Sequence, residues 1–339
     1  MKNIAVVGAG YLGKIHVKLL SSLEGVQAFV VEPNQESRTK ISEEFQVSTY
    51  ADLESVTEEL DGAILVTPTE THFEVARKLL DRGCHLLVEK PICATSQEAR
   101  KLCSFADVKG RVLQVGHVER FNPAFVAAQD LIQQPTYIES TRNTPYSFRA
   151  TDVSVVLDLM IHDLDLVLSL AQSNVKEVRA TGTTVIGPHA DVATAWVDFE
   201  NGCSAKLTAS RCSYDGTRGM EVWTEQGQVK IDFATQTVKS MQPVSDIQSI
   251  ASYATTPGEV QTAKEAMFDR WLPVADVQVE PHNAILEEQK EFIRCIEGNS
   301  SPTVSGYDGL SAVKLAEQIA DQIEASQKTR ANYQIAKVA

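Results

Sequence analysis

The chain begins with a strand, a glycine-rich turn and a helix in a spacing that few folds accommodate. Ile4 to Val7 is a short, continuous apolar run, the pattern of a strand buried on both faces. Gly8, Gly10 and Gly13 follow as G-x-G-x-x-G, with a helical stretch from Lys14 to Leu23. A second apolar run, Val26 to Val31, ends at Glu32, nineteen residues past Gly13. The glycine spacing alone is a weak signal. A strand before it, a helix after it and an acid about 20 residues on supply the context of a dinucleotide-binding unit.

Each glycine has a physical task. Gly8 permits the tight turn, Gly10 lets the backbone approach a pyrophosphate, and Gly13 allows the helix to pack closely on the strand. The helix opening near Ala9, Gly10, Tyr11 and Leu12 offers backbone N–H groups and a positive dipole end to that phosphate. Glu32 is suited to accept hydrogen bonds from a ribose hydroxyl and repels a 2′-phosphate, which favours NAD over NADP. Arg38, six residues further, is a counter-signal.

Strands and helices keep alternating. Ala63 to Thr67 reads as a strand ending in Thr67-Pro68-Thr69, followed by a helix from Thr71 through His72 to Arg82. His85 to Val88 is a strand ending in Glu89-Lys90-Pro91. Ser96 to Ala106 is helical with Thr95 or Ser96 as its N-cap, and Arg111 to Val115 is a strand ending in Gly116-His117. The pattern predicts a parallel, doubly wound sheet whose ligands lie beyond the strand carboxyl ends. Thr67, Lys90 and His117 fall at such ends. Lys90 sits between an acid and a proline; it is either a surface residue after a buried strand or a functional amine on the face where a nicotinamide belongs.

Composition removes several function classes. At 339 residues the chain is long enough for two domains. Its net charge of −14 provides no counterion-release term for nucleic acid. Acidity spread along stretches such as Glu287 to Glu291 reads as a solvated helix face. The six cysteines show no metal-site spacing and are too sparse for a disulfide scaffold. No apolar run approaches the roughly 18 residues of a membrane span, and the N-terminus has no signal-peptide pattern. A cytoplasmic protein with reduced thiols is expected, with no membrane partner.

Beyond the first third, GHVERFNP (Gly116 to Pro123) contains Arg120 and Asn122, which are either sugar or phosphate ligands or surface groups at a helix entry. The stretch STRNTPYSFRAT reads as a loop carrying Arg142 and Arg149. Asp158 and His162 are four apart, on one face of a helix. An acid beside a histidine fixes its tautomer and favours its protonated form; such a pair is either a satisfied core pair or a general base with its orienting partner. Two ligands are too few for a metal site. Val175 to Ile186, Val192 to Glu200, Cys203 to Ser213, Gly219 to Thr224, Gln228 to Phe233 and Gln236 to Gln242 alternate as strands of a largely antiparallel sheet. Asn201-Gly202 predicts a type I′ hairpin. Trp196, Phe199, Leu207 and Trp223 are candidates for its buried faces. Ser245 to Pro281 looks irregular apart from a helix near Thr262 to Trp271, and two amphipathic helices follow, Asn283 to Glu297 and Gly306 or Tyr307 to Ser326.

GAGYLG with Glu32, TPTETH at Thr67 to His72 and EKP at Glu89 to Pro91 resemble the glucose–fructose oxidoreductase, inositol dehydrogenase and MocA family, over essentially the whole chain. The resemblance implies an α/β fold, with a Rossmann domain over 1–121 and a substrate-binding and oligomerisation α+β domain with a large, mostly antiparallel open sheet over 122–339. It implies a cofactor site of Gly8, Gly10, Tyr11, Leu12, Gly13, Glu32, Thr67, Pro68, His72, Glu89 and Lys90. It implies Lys90 beside the nicotinamide and the substrate hydroxyl, with His162 as base and Asp158 as its partner. Substrate contacts would come from Lys90, His117, Arg120, Asn122, Asp158 and His162, with no metal. GHVERFNP and VLDLMIHDLDL are similar to a nucleotide-sugar branch that includes UDP-N-acetylglucosamine 3-dehydrogenases. Met160, where the wider family commonly has glycine, fits that branch better than free-sugar enzymes. Arg142 and Arg149 then become diphosphate candidates alongside Arg120. A free polyol such as an inositol is the alternative substrate. A non-catalytic NAD sensor of the same fold would not need Lys90 or His162. A homodimer or homotetramer built on the sheet face is implied.

Overall fold

The computed structural model describes residues 1–148, 153–244 and 255–338. Two compact units emerge, Met1–Phe121 with His282–Gln318, and Asn122–Pro281 with Ile319–Ala339. The chain passes from the first unit to the second after Phe121 and returns to the first at His282. The segment 282–318 belongs to the first unit, because its apolar helix face is buried there.

The first unit is a six-stranded, all-parallel sheet in the order 3-2-1-4-5-6. Its strands are β1 (Lys2–Val7), β2 (Val26–Val31), β3 (Ser48–Tyr50), β4 (Gly62–Leu65), β5 (His85–Glu89) and β6 (Leu113–Gly116). They alternate with α1 (Tyr11–Leu20), α2 (Gln35–Phe45), α3 (Thr69–Asp81) and α4 (Ser96–Lys109). Continuous apolar runs such as Ile4 to Val7 are fully buried, as a sheet covered on both faces requires. Local signals set the helix ends. Asn34 caps α2 by accepting from the Ser37 N–H, Thr95 caps α4 by accepting from the Glu98 N–H, and Gly110 stops α4 in the left-handed conformation at φ +62°.

The returning helix α8 (Ala284–Ile296) lays Phe292, Ile293 and Ile296 into the core cluster formed by Ile4, Val17, Leu20, Val30 and Ile64. Gly62 makes this approach possible, since a Cβ there would sit 2.9 Å from Ile296 Cδ1 and 3.1 Å from the Phe292 ring. Farther along, the Val115 N–H donates to Val304 O, and Gln114 bridges Ser305 antiparallel at the sheet edge. The stretch from Glu287 to Glu291, expected as a solvated face, is largely turned inward. Glu288 and Gln289 are fully buried and Glu291 nearly so, because this side of α8 faces the sheet unit and not water.

In the second unit, α5 (Pro123–Gln129) precedes an eight-stranded sheet of order 14-13-12-11-7-10-9-8. Its strands are β7 (Tyr137–Asn143), β8 (Val175–Thr183), β9 (Val192–Phe199), β10 (Ser204–Ser210), β11 (Thr217–Thr224), β12 (Gly227–Asp232), β13 (Thr237–Met241) and β14 (Val274–Val277). All pairings are antiparallel except β7 with β10. The stretch expected as a loop thus begins, over 140–143, as the end of the central strand β7. Its inward positions are Ile138, Ser140 and Arg142, all buried, so the apolar alternation that marks a strand is missing. Phe199 and Leu207 are buried, whereas Trp196 and Trp223 are 39% and 37% exposed on the other face.

The β9–β10 hairpin differs from the type I′ expectation. Gly202 has φ +89° while Asn201 is not in the positive-φ region, and type I′ needs both. The Gly202 N–H donates to Phe199 O and the Phe199 N–H to Cys203 O, with Asn201 Oδ1 accepting from the Cys203 N–H. This is the longer turn with a glycine bulge. Helix α7 (Pro257–Glu265) begins earlier than expected, at a Thr256/Glu259 capping box, and is followed by a single π turn at Met267–Trp271. The last helix, α9 (Gly306–Val338), contributes to both units. The six cysteines are all unpaired, and no helix among the described residues is long and apolar enough to cross a membrane.

Candidate functional site

A cavity of about 780 Å³ opens in the first unit, and its wall includes all eleven residues expected at a cofactor site: Gly8, Gly10, Tyr11, Leu12, Gly13, Glu32, Thr67, Pro68, His72, Glu89 and Lys90. Gly8 has φ +101°, and a Cβ there would lie 2.7 Å from Val66 O. A Cβ on Gly13 would lie 2.1 Å from Gly8 O, so α1 rests directly against the turn. At Gly10 an added Cβ would meet nothing within 4 Å. That is an open cradle on the cavity wall, as close backbone approach by a diphosphate requires. The donor set therefore fits a dinucleotide.

Glu32 ties this turn to the end of β2. Its Oε2 accepts from the Ala9 N–H at 2.8 Å and its Oε1 from the Asn34 N–H at 2.9 Å. One N–H of the helix opening expected to face a phosphate is thus engaged by Glu32. A carboxylate has about four acceptor sites, so capacity for a diol remains. Arg38 turns its guanidinium to the backbone, with Nη1 donating to Glu32 O at 2.6 Å and to Pro33 O at 2.8 Å.

Two strand-end turns are joined by His72. Its Nε2 lies 2.8 Å from Thr67 O and its Nδ1 2.9 Å from Pro91 O. Burial pushes the imidazole below its usual range against the pull of those carbonyls; a neutral ring has a single N–H, so it donates to one of the two carbonyls and packs against the other. Thr71 Oγ1 donates to Pro68 O and lies 2.7 Å from Thr67 Oγ1. Lys90 is half-buried on the cavity wall, and its backbone N–H donates to Glu89 Oε2 at 3.2 Å. The cavity wall also holds Ala51, Asp52, Leu53, Val75 and Lys78, which sequence reasoning missed. The Asp52–Ser55 turn, in which the Asp52 carboxylate accepts from the Ser55 N–H, is a local signal that marks this loop. Besides Tyr11 and His72, the ionisable groups on the wall are Glu32, Asp52, Glu54, Glu89, Lys78 and Lys90, so an anionic ligand relies on backbone donors and the two lysines.

The other expected residues do not line this cavity. His117 is buried after β6. Arg120 lies in the 3₁₀ turn Val118–Phe121, its side chain largely buried and its Nη2 4.0 Å from Asp308 Oδ1. Asn122 is the N-cap of α5, with Oδ1 accepting from the Ala124 N–H. In the second unit, Asp158 lies in a π turn, Val156–Met160, that runs into α6 (Ile161–Ala171), which carries His162. Both are half-buried on successive turns of one helical stretch.

Arg142 is not an exposed diphosphate ligand. It is buried and grips Asp163 with two hydrogen bonds, Nε to Oδ2 at 2.8 Å and Nη2 to Oδ1 at 3.0 Å. A strand position facing α6 admits an arginine only with such a partner. Arg149 lies outside the described residues.

Comparison with known proteins agrees with this geometry. Residues 2–117 match the model of the oxidoreductase family with an NAD-binding Rossmann fold, and residues 132–230 match the GFO/IDH/MocA C-terminal domain. The chain is 30% identical to UDP-N-acetylglucosamine 3-dehydrogenase of Acidithiobacillus ferrooxidans, across 94% of this chain and 96% of that protein. It is 26% identical to the NAD-dependent scyllo-inositol 2-dehydrogenase of Bacillus subtilis, across 90% and 89%. A solved structure of the Acidithiobacillus dehydrogenase superposes with a TM-score of 0.84 at 29% identity, covering 95% of this chain and 97% of that one. With a glycine-turn cavity, two matching domain models and relatives aligned end to end, the chain belongs to the GFO/IDH/MocA family of NAD-binding oxidoreductases.

Proposed function

We propose that the protein oxidises a secondary hydroxyl of a nucleotide sugar with NAD, and that the substrate is a UDP-N-acetylglucosamine whose 3-hydroxyl becomes a ketone. The observation that carries the reading is the sharing of one cavity by the Gly8–Gly13 turn, Glu32 and Lys90. Similarity to the Acidithiobacillus enzyme over nearly the full length supports the substrate. Bound NAD supplies the hydride acceptor. Glu32 favours NAD over NADP, since its carboxylate stands at the end of β2 while Arg38 is committed to backbone carbonyls.

The chain's own residues supply alignment and proton handling. Lys90 holds the reacting oxygen and stabilises negative charge as it develops there. His162, oriented by Asp158, accepts the hydroxyl proton, a contribution of about 10²- to 10⁴-fold. His117 and Arg120 are assigned to the sugar nucleotide, whereas the Asn122 amide oxygen is engaged by the α5 N-cap. The half-exposed Trp196 and Trp223 support a homodimer or homotetramer built on the open sheet face.

The test is the initial rate of NADH formation across a panel of UDP-sugars and free inositols. UDP-N-acetylglucosamine is expected to give the highest kcat/KM, and Lys90→Ala to abolish most of it. Turnover of an inositol alone would move the substrate to the polyol class. Lys90→Ala with nearly full activity would remove the mechanism.

A further inference from the structure

Behind the Lys90 turn, inside the first unit, lies a closed set of polar side chains that the proposed chemistry does not use. His16 on α1 and Glu288 on α8 are fully buried, and Glu89 at the end of β5 is nearly so. One ligating atom from each lies within 4.8 Å of the others. The hydrogen bonds assign the protons. Gln289 Nε2 donates to His16 O at 3.1 Å and lies 2.9 Å from His16 Nδ1. The carbonyl fixes the amide orientation, so Nδ1 is an acceptor and the ring proton sits on Nε2. That N–H donates to Glu89 Oε1 at 2.9 Å, while Glu89 Oε2 takes the Lys90 backbone N–H. The same wiring argues against a metal ion, because the Nε2 lone pair is not available.

Glu89 thus has two donors and the properties of an anion. Glu288 has neither: among the described residues no hydrogen-bond partner reaches either of its oxygens, and no salt bridge includes it. The titratable groups facing it are His16, Glu89 and, one turn along its own helix, Glu291, whose carboxylate is taken by Thr303. Gln114 Nε2 donates to the Glu288 backbone carbonyl and not to its carboxyl group. Glu89 has no room to retreat from a second charge, since a Cβ at Gly116 would already lie 2.8 Å from its carboxyl carbon.

We propose that Glu288 is held as a neutral carboxylic acid, and that its proton allows Glu89 to remain the single charge anchoring the Lys90 turn. Glu288 is then a positioning residue that acts through Glu89. Burial, followed by the carboxyls of Glu89 and Glu291, pushes Glu288 well above the usual carboxylate range. Loss of the proton sets two negative charges within one dry site, and the turn that carries Lys90 on the cavity wall has to give. The inference rests on Lys90 belonging to the cofactor cavity. It does not depend on which sugar is the substrate, so NADH binding tests it even if no sugar is turned over.

The experiment pairs infrared spectroscopy of the full-length protein with NADH titrations by fluorescence over neutral to alkaline pH, on the wild-type chain and on Glu288→Gln. The wild-type chain is expected to show the carbonyl band of a protonated carboxylic acid at neutral pH, and Glu288→Gln to lack it while binding NADH as tightly. Once the band fades with rising pH, wild-type NADH affinity should fall by about tenfold per pH unit, and that of Glu288→Gln should not. Should the variant fail to fold, the wild-type band and affinity must still move together. Absence of the band at neutral pH, fading without a change in affinity, or the same alkaline loss in Glu288→Gln overturns the proposal.

Discussion

Replacing Arg142 with methionine separates two roles for this residue. Both side chains of the Arg142–Asp163 pair are only 4% exposed, and two hydrogen bonds of 2.8 and 3.0 Å join them. The variant leaves the Asp163 carboxylate buried without these donors, a loss of about 3–5 kcal/mol. For a unit of this size each kcal/mol lowers the melting temperature by about 2–4 °C, so a drop of about 6–20 °C is expected. The two units need not unfold together, so amide hydrogen exchange supplies the local readout. Protection in β7 and α6 should fall while that in β1 and β4 stays. The double variant Arg142→Met/Asp163→Leu removes both charges and should recover most of the stability, giving a coupling energy of about 0.5–3 kcal/mol or more in a double-mutant cycle. A single variant that melts with the wild-type chain but binds UDP-sugar more weakly would refute the structural role and return Arg142 to the ligand.

Three other perturbations bear on the account. Gly13→Ala places a Cβ 2.1 Å from Gly8 O, a backbone clash that α1 relieves only by moving off the turn; NADH affinity by fluorescence titration should fall by about tenfold or more, and an unchanged affinity would contradict the close packing. Glu32→Gln keeps one acceptor oxygen but removes the charge, so the ratio of NAD to NADP use in steady-state kinetics should fall; an unchanged ratio would remove Glu32 from cofactor choice. Burial raises the Asp191 carboxyl, but the N–H groups of Ile186 and Val185 and the Arg211 guanidinium outweigh it and hold it at about 2, below its usual 3.8. A depressed acid stabilises the fold above the unfolded value, and that contribution disappears as pH falls toward 2. Urea unfolding should therefore show wild-type stability dropping by up to about 2 kcal/mol over that interval relative to Asp191→Asn, and parallel pH curves would exclude the network.

The cofactor half of the molecule was legible in the sequence because its physics is local. Strands covered on both faces read as unbroken apolar runs, and glycines and prolines punctuate their ends; the eleven residues that the glycine turn, the strand ends and the family resemblance pointed to share one cavity wall with others, such as Ala51 and Val75, that carry no such signal. The exceptions depend on partners distant in the chain. Strand β7 carries Ser140 and Arg142 on its inward face, and only Asp163 on α6 makes that arginine acceptable there. An amphipathic helix such as α8 has the same periodicity whichever unit buries it, so the return of 282–318 to the first unit leaves no trace in the pattern. Glu288 reads as solvated for the same reason, since a charge on a helix says nothing about what packs against it. Asn122 offered hydrogen-bonding capacity that the α5 N-cap uses.

The central claim is that hydride passes from the sugar carbon bearing the 3-hydroxyl to nicotinamide, and deuterium at that carbon tests it most directly. UDP-N-acetylglucosamine labelled with deuterium at C3 is incubated with NAD and the purified protein, and the reduced cofactor is isolated for mass spectrometry. NADH carrying one deuterium at C4 of the nicotinamide and a 3-keto sugar nucleotide in equal amount are expected. Unlabelled NADH, or none from this substrate while an inositol is oxidised, would contradict it.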